Sequence, residues 1–145
     1  EFTKMKLKII WVATLALAIF ELISGLGNKV SDKSIEDIVA AASLSKAQNS
    51  FNLNCGHCHS LVKSEHQIGP SLVNIVDRKS ASKDDFLYYS ESIKRLDIVW
   101  TQAELFRLIR YGRSYTDQIN MAYEGISSDE EAGEIVRLLI EKSIN

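Results

Sequence analysis

Cys55-Gly56-His57-Cys58-His59 places two thiols three residues apart and an imidazole directly after the second. Two sulfurs at that spacing suit the two vinyl groups of a haem, each closing one thioether, and the adjacent His59 then reaches the iron from one face. Three other chemistries use similar residues. A redox dithiol sits at a strand-to-helix turn in a βαβ pattern, whereas Ala47-Gln48-Asn49-Ser50-Phe51 reads as helix. A tetrahedral zinc site wants four ligands, and Cys55, His57, Cys58 and His59 are too close together to wrap one ion, with His66 the only other candidate. A disulfide across two intervening residues leaves His59 unexplained. One covalently attached haem c, held through Cys55 and Cys58, is the expectation.

Such a site needs a dry pocket built by the rest of the chain. At 145 residues the chain holds one ordinary domain and an end piece. A single proline, seven glycines and long stretches of helical spacing predict an all-α protein. Both cysteines belong to the motif, so no sulfur is left to staple the fold. A haem would join the core, its apolar faces contributing roughly 25 cal/mol per Å² to a domain otherwise marginal for its size.

Charge divides along the chain. Residues 1–30 carry Lys4, Lys6, Lys8 and Lys29 against Glu1 and Glu21, a net +2; the remaining 13 basic and 17 acidic residues give 31–145 a net of −4. An acidic domain without basic runs is a poor nucleic-acid binder. The three lysines precede the apolar run Ile9–Phe20, the pattern of membrane insertion with the basic head kept in the cytoplasm. Twelve helical residues span about 18 Å, which fits a cleaved signal; extended through Leu26 the segment spans about 27 Å, nearly a bilayer core, interrupted by Glu21. Residues 1–30 are read as a signal-anchor rather than a cleaved signal peptide. That puts the domain on the periplasmic side of the inner membrane, tethered, with a soluble periplasmic protein as the alternative. Residues 31–45 are read as a linker with some helix, Ser34 and Asp37 capping a face of Ile35, Ile38, Val39 and Ala42, and 46–145 as the haem-binding domain.

An iron held by one histidine needs a sixth ligand if it is to move electrons without binding oxygen. Met5 belongs to the leader, so Met121 is the one thioether in the globular part, in a stretch from Ile119 to Ile126 without helical periodicity. The competing role is a gap-filling core methionine. His66 is a rival ligand, yet six residues between it and His59 make a crossing to the other face of the macrocycle difficult.

From about Ala47 to Leu139 the chain resembles the class I c-type cytochromes, in particular their mitochondrial-like branch found also in bacteria. Phe51 stands where that family places an aromatic in its N-terminal helix, and Ile68-Gly69-Pro70-Ser71-Leu72 resembles its Gly-Pro-x-Leu loop. Tyr88-Tyr89-Ser90, Val99-Trp100, the 62-residue step from His59 to Met121, and Glu134–Ile140 are similar to further family features. The resemblance implies the cytochrome c fold: crossing N- and C-terminal helices and haem-enclosing loops, here preceded by one N-terminal hydrophobic helix. It implies that the Pro70 carbonyl accepts from His59, that Tyr89 and Trp100 bond a haem propionate, and that His59 and Met121 ligate the iron. The chain departs from the family in having Asp117-Gln118-Ile119-Asn120 before the methionine, Ala47 in place of a crossing glycine and Leu108 in place of a tyrosine. The family's lysine ring is largely missing. Arg113 remains, while Asn54, Asn120, Ser127 and Ser128 fall where lysines often do.

With both axial positions filled there is no catalytic residue and no open coordination. The implied function is that of a monohaem one-electron carrier, not an enzyme, working by outer-sphere transfer at an exposed haem edge between membrane respiratory complexes. Quinol–cytochrome c reductase is the expected donor and a terminal oxidase the expected acceptor. The alternatives are a haem-based gas sensor and a permanently bound electron-entry subunit of a dehydrogenase or oxidase. Docking would rely on apolar contact, or on a basic spot at Arg107, Arg110 and Arg113, which at their spacing also read as a solvated helix face.

Overall fold

Helix α5, Asp129–Ile144, is the element around which the others are organised. The computed structural model describes residues 35–115, 119 and 121–144, so the expected membrane segment 1–30 and the proposed Ser34 cap lie outside the described residues. Its first turn carries Asp129, Glu130 and Glu131 at the positive end of the helix dipole. The Ser128 hydroxyl accepts from the Glu131 N–H at 3.2 Å, satisfying one donor that the helix itself leaves unpaired. Ala132, Ile135, Val136, Leu138 and Leu139 form the buried face.

Two helices pack on that face. Helix α2, Leu44–Asn54, buries Ala47, Ser50 and Phe51, the i, i+3, i+4 stripe expected of one helix side. It crosses α5 through two polar ties: Ser50 Oγ donates to the buried Glu134 carboxylate at 3.0 Å, and Asn54 Nδ2 donates to Glu131 at 3.0 Å. Helix α4, Gln102–Tyr111, starts where the Thr101 hydroxyl accepts from Glu104 N–H, and buries Leu105, Phe106 and Ile109. Between them in chain order comes α3, Glu91–Leu96, capped by the Ser90 hydroxyl and ended by Asp97 in the left-handed region. Among the described residues the one extended pairing is the isolated bridge of Lys79 and Val99, flanked by backbone bonds from Trp100 to Arg78 and from Ser80 to Ile98. The described chain is thus mostly helical, and none of its helices is long and apolar enough to cross a membrane.

Residues 35–41, expected to carry some helix within a linker, are helical (α1) and belong to the same unit as the rest, Ile35–Asn145. Ile35 and Val39 enter the hydrophobic core, Val39 at 2 % exposure. The physical reason lies in α5: a Cβ on Gly133 would stand 2.8 Å from Ile38 Cγ2, so the missing side chain opens the space that α1 occupies. The expected face of Ile35, Ile38 and Val39 thus packs with the haem-binding residues from 46 onward.

Candidate functional site

Helix α2 ends in the motif. Cys55 and Gly56 N–H groups both bond the Phe51 carbonyl, at 2.8 and 2.9 Å, and the Cys55 carbonyl then accepts from Cys58 and His59. This tight turn brings both thiols and the imidazole to one end of the helix. Neither cysteine is in a disulfide. Burial, aided by the neighbouring Cys58, pushes the Cys55 thiol up to about 12, the opposite of the lowered thiol a redox dithiol requires. Among the described residues no group of three or more His, Cys, Asp or Glu side chains could hold a metal ion.

His59 is held firmly. Its Nδ1 lies 2.8 Å from the Pro70 carbonyl, which can only accept, so Nδ1 carries the proton. Burial pulls its pKa below the ordinary histidine value, opposed by the Pro70 bond and assisted by the Arg78 charge. A neutral ring with a protonated Nδ1 leaves its lone pair on Nε2, the state an iron ligand needs. The loop carrying Pro70 is tied back to the motif by Gly69 N–H to the Cys58 carbonyl, 2.8 Å, and Leu72 N–H to the Ser60 carbonyl, 2.9 Å. Gly69 lies flat on the imidazole: a Cβ there would stand 2.3 Å from His59 Cε1 and 2.7 Å from Nδ1.

Met121 lies in the non-helical stretch 121–126, half-buried and packed against the core, as are Cys55, Leu61, Leu72, Leu108 and Tyr123. Its preceding residues Asp117, Gln118 and Asn120 lie outside the described residues. The stretch is gathered at a narrow neck. Arg113 N–H bonds the Tyr123 carbonyl at 3.0 Å, and Ile126 N–H bonds the Ile109 carbonyl at 3.1 Å. The Tyr123 hydroxyl donates to Ile109 at 2.8 Å. Burial pushes the Tyr123 phenol's pKa upward, with the nearby Cys55 and Glu131 adding to the rise. The methionine stretch and the thiol motif are therefore neighbours in space.

Trp100 is buried in the core, its backbone paired with Arg78. Tyr89 is half-buried, edge-on to Phe86 at 4.9 Å. Burial raises its pKa while Arg78 opposes the rise. Arg78 is a site residue that composition and spacing did not single out. Its half-buried guanidinium donates to the Val73 and Ser71 carbonyls at 3.0 and 3.3 Å, and its charge reaches both His59 and Tyr89. A cation in that position disfavours the more positive state of a nearby iron. The Arg107–Arg113 basic spot, by contrast, is neutralised: Arg107 pairs with Glu104 at 2.9 Å, Arg110 with Asp129, and Arg113 with Glu124 at 3.0 Å.

These residues fit a covalently attached haem. Two unlinked thiols stand beside a neutral imidazole whose free nitrogen is fixed by Pro70, and a glycine surface presses on the ring where no side chain has room. Half-buried apolar side chains surround them.

No protein-family model matches the chain. Named proteins do. A cytochrome c homolog of Rickettsia typhi is 36% identical over 86 residues, covering 59% of this chain and 49% of its own length, and that of Rickettsia prowazekii matches to the same extent. The chain spans about half the length of these two relatives. Cytochrome c2 of Rhodopila globiformis is 30% identical over 89 residues, covering 61% of this chain and 83% of the relative. Cytochrome c of Gibberella zeae is 26% identical over 102 residues, 70% and 95% of the two chains. With the motif, the helical fold and 83% of cytochrome c2 matched, this chain belongs to the class I c-type cytochromes and carries one haem c through Cys55 and Cys58.

Proposed function

We propose that this chain is a one-electron carrier of the membrane respiratory chain, its iron ligated by His59 and Met121, exchanging electrons by outer-sphere transfer at the haem edge. The observation that carries the reading is the fixed tautomer of His59. Nδ1 is committed to the Pro70 carbonyl at 2.8 Å, so Nε2 is free to bind iron beside the two thiols. A bound haem would supply a one-electron couple; His59 and Met121 would hold its iron, and the half-buried apolar side chains beside them would keep water away. A thioether as second ligand favours the ferrous state and raises the potential. Pro70 would set the ring orientation of His59, and Tyr89, Trp100 and Arg78 would meet the propionates.

The ferric holoprotein is expected to show a methionine-to-iron charge-transfer band, and Met121→His to abolish it. That variant should also lower the potential by on the order of 0.1–0.2 V, two to three decades in equilibrium constant at about 59 mV each. A potential unmoved by Met121→His would take Met121 off the iron and reopen the gas-sensor reading.

The proposed setting is the periplasmic side of the inner membrane, tethered by residues 1–30, with quinol–cytochrome c reductase as donor and a terminal oxidase as acceptor. Support comes from the apolar run behind three lysines and from the surface near the motif. Leu53 and Ile68 are exposed at 65% and 78%, and Leu53 precedes the first motif cysteine by two residues. A tether raises effective concentration and makes long-range charge steering dispensable. Salt-washed membranes holding the full chain should therefore retain the cytochrome and pass electrons from quinol to oxidase at a rate nearly independent of ionic strength. Release by salt, or a steep fall in rate with salt, would refute the tethered, apolar-docking carrier.

A further inference from the structure

The peptide unit joining Pro70 to Ser71 is hydrogen-bonded at both ends to an imidazole. Its carbonyl accepts from His59 Nδ1 at 2.8 Å, and its N–H, on Ser71, donates to His66 Nδ1 at 3.0 Å. Accepting at Nδ1 obliges a neutral His66 to carry its proton on Nε2. That nitrogen is buried and lies 3.2 Å from Asp85 Oδ1, off the axis of a well-aligned hydrogen bond, and no other acceptor meets it. Phe86 holds the His66 ring edge-on at 5.4 Å, and the carboxylate is itself flanked by Lys83 Nζ at 3.7 Å. The Asp85 carboxylate thus stands beside an imidazole that is joined through one peptide to a second imidazole.

We propose that Asp85 and His66 are positioning residues that act on His59 through the Pro70–Ser71 peptide and lower the reduction potential of the centre. The proposal rests on the reading of His59 as an iron ligand. Its physical basis is the carboxylate charge close to the His66 ring, passed on by polarisation along the two hydrogen bonds of the peptide. Negative charge beside His66 Nε2–H enriches Nδ1, which draws harder on the Ser71 N–H. The same peptide then presents a more negative Pro70 oxygen, which draws on the His59 Nδ1 proton and makes Nε2 the stronger donor. Carboxylate–histidine pairs orient and strengthen metal-bound imidazoles in this way. Here a second imidazole and a peptide are inserted between the carboxylate and the ligand. Stronger donation favours the ferric state.

The adjacent, exposed Asp84 supplies the control for simple charge removal. In redox titrations of the holoprotein, Asp85→Asn should shift the ferric-to-ferrous ratio at fixed ambient potential two- to fivefold toward ferrous beyond any shift from Asp84→Asn. That is about 20–40 mV at about 59 mV per decade. His66→Leu, which breaks the chain without changing charge, should shift the ratio the same way, and in its background Asp85→Asn should do no more than Asp84→Asn. His66→Gln, whose amide can accept from Ser71 and donate to Asp85, should restore much of the native value. Equal shifts from Asp85→Asn and Asp84→Asn would overturn the proposal, as would an Asp85→Asn shift undiminished by His66→Leu. If His66→Leu fails to fold, the comparison of the two aspartates still decides. Nitrogen-15 NMR of histidine-labelled ferric protein separates the two levels. A hyperfine-shifted His59 ring with equal aspartate shifts removes only the relay, whereas an unshifted His59 ring removes the ligand reading and the relay with it.

Discussion

Gly69→Ala is expected to take the proposed His59 ligand off the iron while both thioethers stay intact. The added Cβ would stand 2.3, 2.7 and 2.9 Å from Cε1, Nδ1 and Nε2 of the ring, well inside the ordinary carbon contact distance of about 3.5–4.0 Å. Two responses are open. The ring can turn out of its plane and lose the Pro70 acceptor, or the loop can retreat and carry that acceptor away. Either breaks the 2.8 Å bond that fixes Nε2. The loop cannot retreat freely, because Gly69 N–H is bonded to Cys58 and Leu72 N–H to Ser60. Overpacking of this kind costs about 1–3 kcal/mol, and an unmade buried hydrogen bond a similar amount. The expected result is a holoprotein that retains its colour after acidified acetone yet shows a high-spin component at neutral pH, with a lower melting temperature. Ile68→Ala, at the exposed neighbour, should leave the spectrum unchanged. A fully low-spin Gly69→Ala protein would mean that the glycine surface does not hold His59 in place.

The thiol motif and the helical class were legible because each is local. Two sulfurs and an imidazole within five residues do not depend on the rest of the fold, and the stripe of Ala47, Ser50 and Phe51 follows from the pitch of a helix. What was illegible depends on contacts between distant segments. The periodicity of Ile35, Ile38 and Val39 can be seen in the sequence, but whether that short helix docks depends on a missing side chain at Gly133, far along the chain. Arg78 lacked any local signal. Its place beside His59 and Tyr89 comes from the pairing of its backbone with Trp100. The same holds for His66: by spacing it competed as a ligand, and in three dimensions it faces the other end of the Pro70–Ser71 peptide. Close approach of two backbones leaves the faintest trace of all, since a glycine in a sequence does not name the residue it must touch. Gly112 and Gly125 illustrate this and lead to the second large effect.

Gly125→Ala should open the neck of the methionine stretch and release Met121 from its proposed position. Gly125 has φ +95° and Gly112 φ +51°, in the region that L side chains avoid. They also face one another: a Cβ on Gly125 would lie 2.6 Å from the Arg110 carbonyl and 2.9 Å from Gly112 N, and one on Gly112 would lie 2.4 Å from Gly125 N. The obstacles are backbone atoms, which cannot turn aside as a flexible side chain can. Conformational strain of about 1–3 kcal/mol adds to the clash. Relief requires the two segments of the neck to separate, which breaks the Arg113-to-Tyr123 and Ile126-to-Ile109 backbone bonds and the Arg113–Glu124 ion pair. The surface ion pair matters little, contributing under about 1 kcal/mol; the backbone bonds and the seating of Tyr123 on Ile109 matter more. His59 is held by Pro70 and a loop bonded to Cys58 and Ser60, none of which belongs to the neck, so the motif side should keep its own hold on the ring. The expected variant thus keeps its covalent haem and its His59 signal while losing the methionine charge-transfer band. Its potential should fall by on the order of 0.1 V or more as the thioether's preference for ferrous iron is lost, and it should gain the ability to bind added imidazole or carbon monoxide. Gly125→Ala with the band and potential intact would show that the neck does not position Met121. Loss of the His59 signal as well would show that the two sides of the site unfold together, not one at a time.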